Sequence, residues 1–152
     1  MECIVARAKT FEEARKNIRN LKKKYSNKKI GFISSNDNLN RKVLEKEPVD
    51  FLVIPQSYRK DSLKQSQSGF NQVMAKIAKK NSIAIGICLD EIINSTGKQK
   101  AEILARIRQN IKLCSKYKLN MKFCGETTRD SYDLKSLGLV LGMPTWMTNK
   151  LF

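Results

Sequence analysis

The sequence predicts an α/β fold: about five strand–helix units building an open partial barrel or an open, mostly parallel sheet. Three observations predict it. Short apolar runs alternate with longer stretches of helical period along the chain. The units average about thirty residues, long enough for a right-handed crossover between parallel strands. The chain of 152 residues is one domain by length and falls short of the roughly 250 residues of a closed eight-unit barrel.

Residues 3–8, CIVARA, read as the first strand. Thr10, with Glu13 three residues on, is a capping box that opens a helix. Phe11, Ala14, Ile18, Leu21 and Tyr25 repeat there at helical spacing, and Arg15, Lys16, Arg19, Lys22 and Lys23 take the other faces. KKIGFIS, 28–34, is the second strand. Asn36 or Asp37 caps a helix through Val43 and Leu44, which Pro48 stops. VDFLVIP, 49–55, is the third strand. QSYRKDSLKQSQ, 56–67, has no clear period, and its length predicts a functional loop. Ser68 or Gly69 begins a helix with Phe70, Val73, Met74, Ile77 and Ala78 on one face. SIAIGICL, 82–89, is the fourth strand, and Gly97 precedes a long helix over 98–118. LNMKFCG, 119–125, is the fifth strand, and YDLKSLGLVLG, 132–142, is a helix. Pro144 begins a short last segment with Trp146, the only tryptophan.

Charge and residue types narrow the function. Thirty Lys and Arg against 14 Asp and Glu leave a formal charge of +16. Residues 1–76 are net +9 and residues 77–152 net +7, so the charge belongs to a folded body and not to a tail. Such a surface points to a polyanion, usually nucleic acid. Histidine is absent, which excludes Ser-His-Asp and Cys-His sites, histidine bases and His-ligated zinc. Cys3, Cys88, Cys114 and Cys124 form no CxxC pair and read as core thiols. No membrane-length apolar run or secretory leader is visible, so a cytoplasmic protein that does not enter membranes is expected.

Sites in parallel α/β folds lie at the carboxyl ends of strands. Asp37, Asp90, Glu91 and Glu126 fall there and could converge on magnesium, although loops and helix N-termini favour acids in any case. Neither GxGxxG nor GxxxxGK[ST] occurs, and the isolated Gly86, Gly138 and Gly142 suit close backbone packing. The basic groupings say more. Arg108, Lys112 and Lys116 follow at i, i+4 and i+8 on the long helix, beside a buried face of Leu104, Ile107, Ile111 and Cys114. Lys76, Lys79 and Lys80 cluster on the preceding helix. Tyr58, Arg59 and Lys60 set an aromatic beside two cations in the long loop, a pairing suited to phosphates and a stacked base. Leu113, off the apolar face, and Trp146 are candidates for contact with a partner protein.

The stretches SGFNQVMAKIAKKNSIAIGICLDEII at 68–93, ILARIRQNIKLCSKYKLNMKF at 103–123 and YDLKSLGLVLGM at 132–143 resemble protein component 3 of archaeal ribonuclease P, whose eukaryotic counterpart is the thirty-kilodalton subunit. SSND at 34–37 and VDFLVIPQSYRKD at 49–61 fit the same family in the same order. The resemblance implies a TIM-barrel-like α/β fold, here an incomplete barrel, and a part in removing the 5′ leader from precursor tRNA. It implies an endoribonuclease only as the holoenzyme: the RNA hydrolyses with magnesium, while the isolated protein has no catalytic residue and binds no metal or other cofactor. The implied partners are ribonuclease P RNA, precursor tRNA and a small ribonuclease P protein, in a heterodimer or heterotetramer. The cations that match the family's basic positions are Arg59, Lys60, Lys76 and Lys80.

The chain also departs from that pattern. The family usually begins with one or two more βα units, often has histidine where Gln72 stands, and often has a basic residue where Asp90 and Glu91 stand. Its longer Arg- and Pro-containing loop is shortened here to YDLKS. Two other function classes fit parts of the sequence. A general, ribosome-associated RNA-binding module would share the charge. A metal-dependent phosphoesterase of related shape would need a cluster that is normally rich in histidine.

Overall fold

The computed structural model describes residues 4–64 and 67–151. Its strands are β1 (Ile4–Arg7), β2 (Ile30–Ile33), β3 (Phe51–Val53), β4 (Ala84–Cys88) and β5 (Met121–Cys124). Between and after them come α1 (Phe11–Lys24), α2 (Asp37–Lys46), α3 (Gln72–Lys80), α4 (Leu89–Asn94), α5 (Gly97–Lys116), α6 (Ser131–Leu141) and α7 (Thr145–Thr148). The strands pair in sequence order, β1-β2-β3-β4-β5, and every pair is parallel. Sequential parallel pairing with a helix in each crossover is the growth rule of a (β/α) barrel, and the five described strands form an open arc of it.

Alternation along each strand divides the sheet into two faces. Phe32, Leu52, Ile85 and Met121 lie in register and are buried in the main core. The helices meet them there through Ala14 and Ile18, Val43 and Leu44, Met74 and Ala78, and Ile103, Ile107 and Ile111. The other face holds a small cluster made only of strand residues: Phe51, Val53 and Cys124, flanked by Val5, Ile33, Ala84 and Cys88. Gly31 sits opposite Phe51 on this face, and a Cβ on Gly31 would overlap the Phe51 ring. Lys122 covers the same ring, its Nζ 4.2 Å from the centroid.

The capping residues fix the helix starts. The Thr10 hydroxyl accepts from the Glu13 amide, and the Glu13 carboxylate accepts from the Lys9 amide. Asn36 caps α2 by accepting from the Leu39 amide. The third helix departs from expectation: α3 starts at Gln72 behind Asn71, whose side chain accepts from the Met74 amide. Ser68 and Gly69 precede it because Gly69 is left-handed (φ +74°) and Ser68 is buried against Asn110. Helix α4 was not expected, because six residues continuing an apolar strand carry no readable period. Gly86 and Gly138 are close-packed, but chiefly against side chains, Val53 at Gly86 and Met143 and Thr148 at Gly138, rather than against backbone. Gly142 is not: it is the left-handed C-cap of α6 (φ +105°), with open space where a Cβ would lie.

Cys88 and Cys114 are free thiols, and Cys114 and Cys124 are buried. Burial pushes the Cys114 thiol up to about 12 and raises that of Cys88 too, so neither supplies a thiolate at neutral pH. Cys3 lies outside the described residues.

Candidate nucleic-acid interface

The carboxyl end of the sheet is shaped by the segment between β3 and α3. Gln56, 2% exposed, closes its stem by donating from Nε2 to the carbonyls of Ile54 and Ser68, each at 2.9 Å. Glu91, in the first turn of α4, accepts the amides of Gln56 (2.9 Å) and Ser57 (3.0 Å). Arg106 reaches in from α5. Its Nε donates to Asp61 at 3.0 Å, and its two terminal nitrogens donate to the carbonyls of Gln56 (2.9 Å) and Arg59 (2.8 Å). The Arg106 side chain is only 2% exposed, so its charge is directed inward. Its hydrogen bond, reinforced by the Gln67 amide, holds the Asp61 carboxyl below the usual carboxylate range.

This scaffold presents some residues and retains others. Tyr58 stands 92% exposed at the tip in a left-handed conformation (φ +59°), and Lys60 is exposed beside it. Arg59 is held back: its Nε donates to the Pro55 carbonyl, and its terminal nitrogens form a fork on Asp37 at 2.9 and 3.2 Å. Arg59, one of the expected RNA-binding cations, is thus also a strut between that loop and α2.

Beside the loop runs a groove of about 620 Å³ between α2, α3 and α5. Lys112, Leu113 and Lys116 from α5 face Arg41 of α2 across a floor containing Phe70 and Met74. Gln72 lies at the head of α3, where it accepts from the Tyr117 hydroxyl at 3.3 Å. Gln109 also lines the groove and carries a buried side-chain oxygen with no partner. Lysines above a partly apolar floor, beside the unpartnered Gln109 oxygen, are an arrangement suited to a phosphodiester chain.

The other expected residues are dispersed. Arg108 is exposed on α5, and Lys76 and Lys80 are exposed on α3, outside the groove lining. Leu113 and Trp146 are half-buried and pack against the main core. Larger exposed apolar surface lies on α6, at Tyr132, Leu139 and Val140. The four acids weighed as metal ligands act separately. Asp37 holds Arg59, Glu91 holds the loop amides, and Glu126 is exposed. Asp90 accepts the amides of Glu126 (2.7 Å) and Thr127 (3.1 Å). The Thr127 side chain and these amides lower its pKa. Among the described residues, no group of three or more Cys, Asp and Glu side chains could hold a metal ion.

Sequence reasoning missed Arg106, Gln56 and Arg41. Arg106 had a visible signal: with Ile103, Asn110 and Cys114 it follows the buried stripe of α5, where a cation needs an internal partner. Gln56 and Arg41 had none.

No protein-family model matches the chain. Ribonuclease P protein component 3 of Methanosarcina acetivorans is 35% identical over 98 residues, which is 64% of this chain and 38% of that protein. The protein of the same name from Methanococcus maripaludis C7 is 29% identical over 132 residues, 86% of this chain and 54% of the relative. A chain in the cryo-EM structure of archaeal ribonuclease P with mature tRNA matches with a TM-score of 0.75 and 25% identity, over 97% of this chain and 62% of that one. The matched stretch thus spans from 38% to 54% of the length of these curated relatives. Among the described residues, no helix is long and apolar enough to cross a membrane.

Proposed function

We propose that this chain, similar to archaeal ribonuclease P protein component 3 in sequence and fold, belongs to a protein subunit of ribonuclease P. The observation that carries the reading is likeness over 97% of the chain to a chain of the tRNA-bound archaeal enzyme. In this reading the catalytic RNA hydrolyses precursor tRNA with magnesium, and the protein steadies that RNA. Its lysine-edged groove and the Tyr58–Lys60 tip are the contact surfaces. A small ribonuclease P protein completes the complex, and α6 offers it the apolar side chains Tyr132, Leu139 and Val140.

Reconstitution tests this. Ribonuclease P RNA is combined with the chain, with and without candidate partner proteins, and removal of the 5′ leader is followed. The chain should raise cleavage at limiting magnesium. Lys112→Gln with Lys116→Gln should weaken binding to the RNA about tenfold near 0.15 M salt, and should flatten the plot of log affinity against log salt by roughly 1.5. Unchanged cleavage on adding the chain, together with preferential recovery of ribosomal RNA, would favour a general RNA-binding module instead.

A further inference from the structure

A second cationic site lies at the opposite end of the sheet. A cleft of about 310 Å³ opens at the amino ends of β3, β4 and β5, and five lysines line it: Lys29, Lys79, Lys118, Lys122 and Lys150. They come from five separate places: the approach to β2, α3, the turn after α5, β5 itself and the C-terminal segment. Asp50 is the one acid in the lining, and its carboxylate accepts the Ile30 amide at 2.8 Å. None of the five lysines pairs with a carboxylate among the described residues.

Helix dipoles account for part of this charge. Both α3 and α5 end here, and cations near helix C-termini are favoured. That explains Lys79, whose ammonium donates to the Lys118 carbonyl at 3.0 Å, and Lys118 just beyond α5. It does not explain Lys29 or Lys122, which belong to no helix end, and Lys150 follows only the four-residue α7. Two of these ammonium groups are also positioned. Lys122 lies over the Phe51 ring at 4.2 Å, and Lys118 lies over the Trp146 ring at 5.4 Å. Aromatic faces hold the lysines without neutralising them. The turns that carry the rim are fixed too, with Ser82 (φ +56°) and Lys118 (φ +54°) left-handed after α3 and α5.

We propose that this cleft is a second anion site, which takes closely spaced phosphate groups. Five convergent positive charges repel one another when the cleft is empty, and adjacent phosphates relieve that repulsion with charge-assisted hydrogen bonds. Such phosphates are found in an RNA backbone or in a free polyphosphate. The site shares no lining residue with the groove of Lys112 and Lys116, so it does not depend on the ribonuclease P reading.

Trp146 reports on it directly, because it is the only tryptophan and Lys118 covers its ring. The full chain is titrated with inorganic tripolyphosphate while tryptophan emission is followed. A saturable change is expected. Lys29→Gln with Lys150→Gln should raise the half-saturating concentration about tenfold, and Lys29→Arg with Lys150→Arg should restore it. Lys112→Gln with Lys116→Gln should leave it unchanged. A short single-stranded RNA that competes with tripolyphosphate assigns the site to RNA backbone; lack of competition assigns it to free polyphosphate. No saturable response, or equal weakening by the two glutamine pairs, overturns the site.

Discussion

Arg106 does at the scale of one residue what a longer helix or a disulfide does elsewhere. Its three hydrogen bonds fix the backbone at Gln56 and Arg59 and the side chain of Asp61. Arg106→Met keeps the apolar volume, leaves the carbonyls of Gln56 and Arg59 without this donor, and leaves Asp61 with only the Gln67 amide. Unfolding in urea at pH 7 should show a loss of about 2–4 kcal/mol. The same variant has a defined pH signature. Asp61 titrates below its unfolded value of roughly 3.9, so its contribution is complete above that pH and disappears as pH falls through the folded value. The stability gap between wild type and variant should therefore narrow from about pH 5 downward. A gap that stays constant to pH 2 would show that the bond to Asp61 contributes nothing.

At the scale of elements, the helices were the more legible part. Thr10, Asn36 and the apolar stripes placed α1 and α2 closely, because a cap and a 3.6-residue period are local signals. The start of α3 was displaced because Phe70 continues the apolar face while its backbone is still outside the helix. Gly31 shows what a strand cannot announce. Nothing in KKIGFIS predicts that the ring of Phe51, on the next strand, fills the place of a Cβ. Gly31→Ala should cost about 1–3 kcal/mol by overpacking, measured by urea unfolding. A loss under about 0.5 kcal/mol would mean that the ring moves aside without strain.

At the scale of the whole molecule, alternating periods were enough for a parallel α/β sheet in sequential strand order. The groove was half legible. Lys112 and Lys116 lie on one helix and share its periodicity, whereas Arg41, Phe70 and Met74 reach the same space from elsewhere in the chain. The lysine cleft was wholly illegible, since five positions spread over more than a hundred residues meet only after folding. The Arg106 clasp, which spans 45 to 50 residues, has a consequence in time. Contacts so distant along the chain form after local ones, because closing a long loop costs entropy before anything is gained. While the chain is being made, the β3–α3 segment can reach Asp37 and then Glu91, but its three bonds to Arg106 wait until α5 has emerged. Pulse-labelling exchange during refolding should find the amides of Gln56 and Ser57 protected after those of α1 and α2. Their simultaneous protection would mean that the sheet edge alone orders the loop. The surface that meets RNA in this reading is then among the last parts of the protein to mature, and a truncated chain ending before α5 lacks Lys112, Lys116 and the Arg106 clasp together.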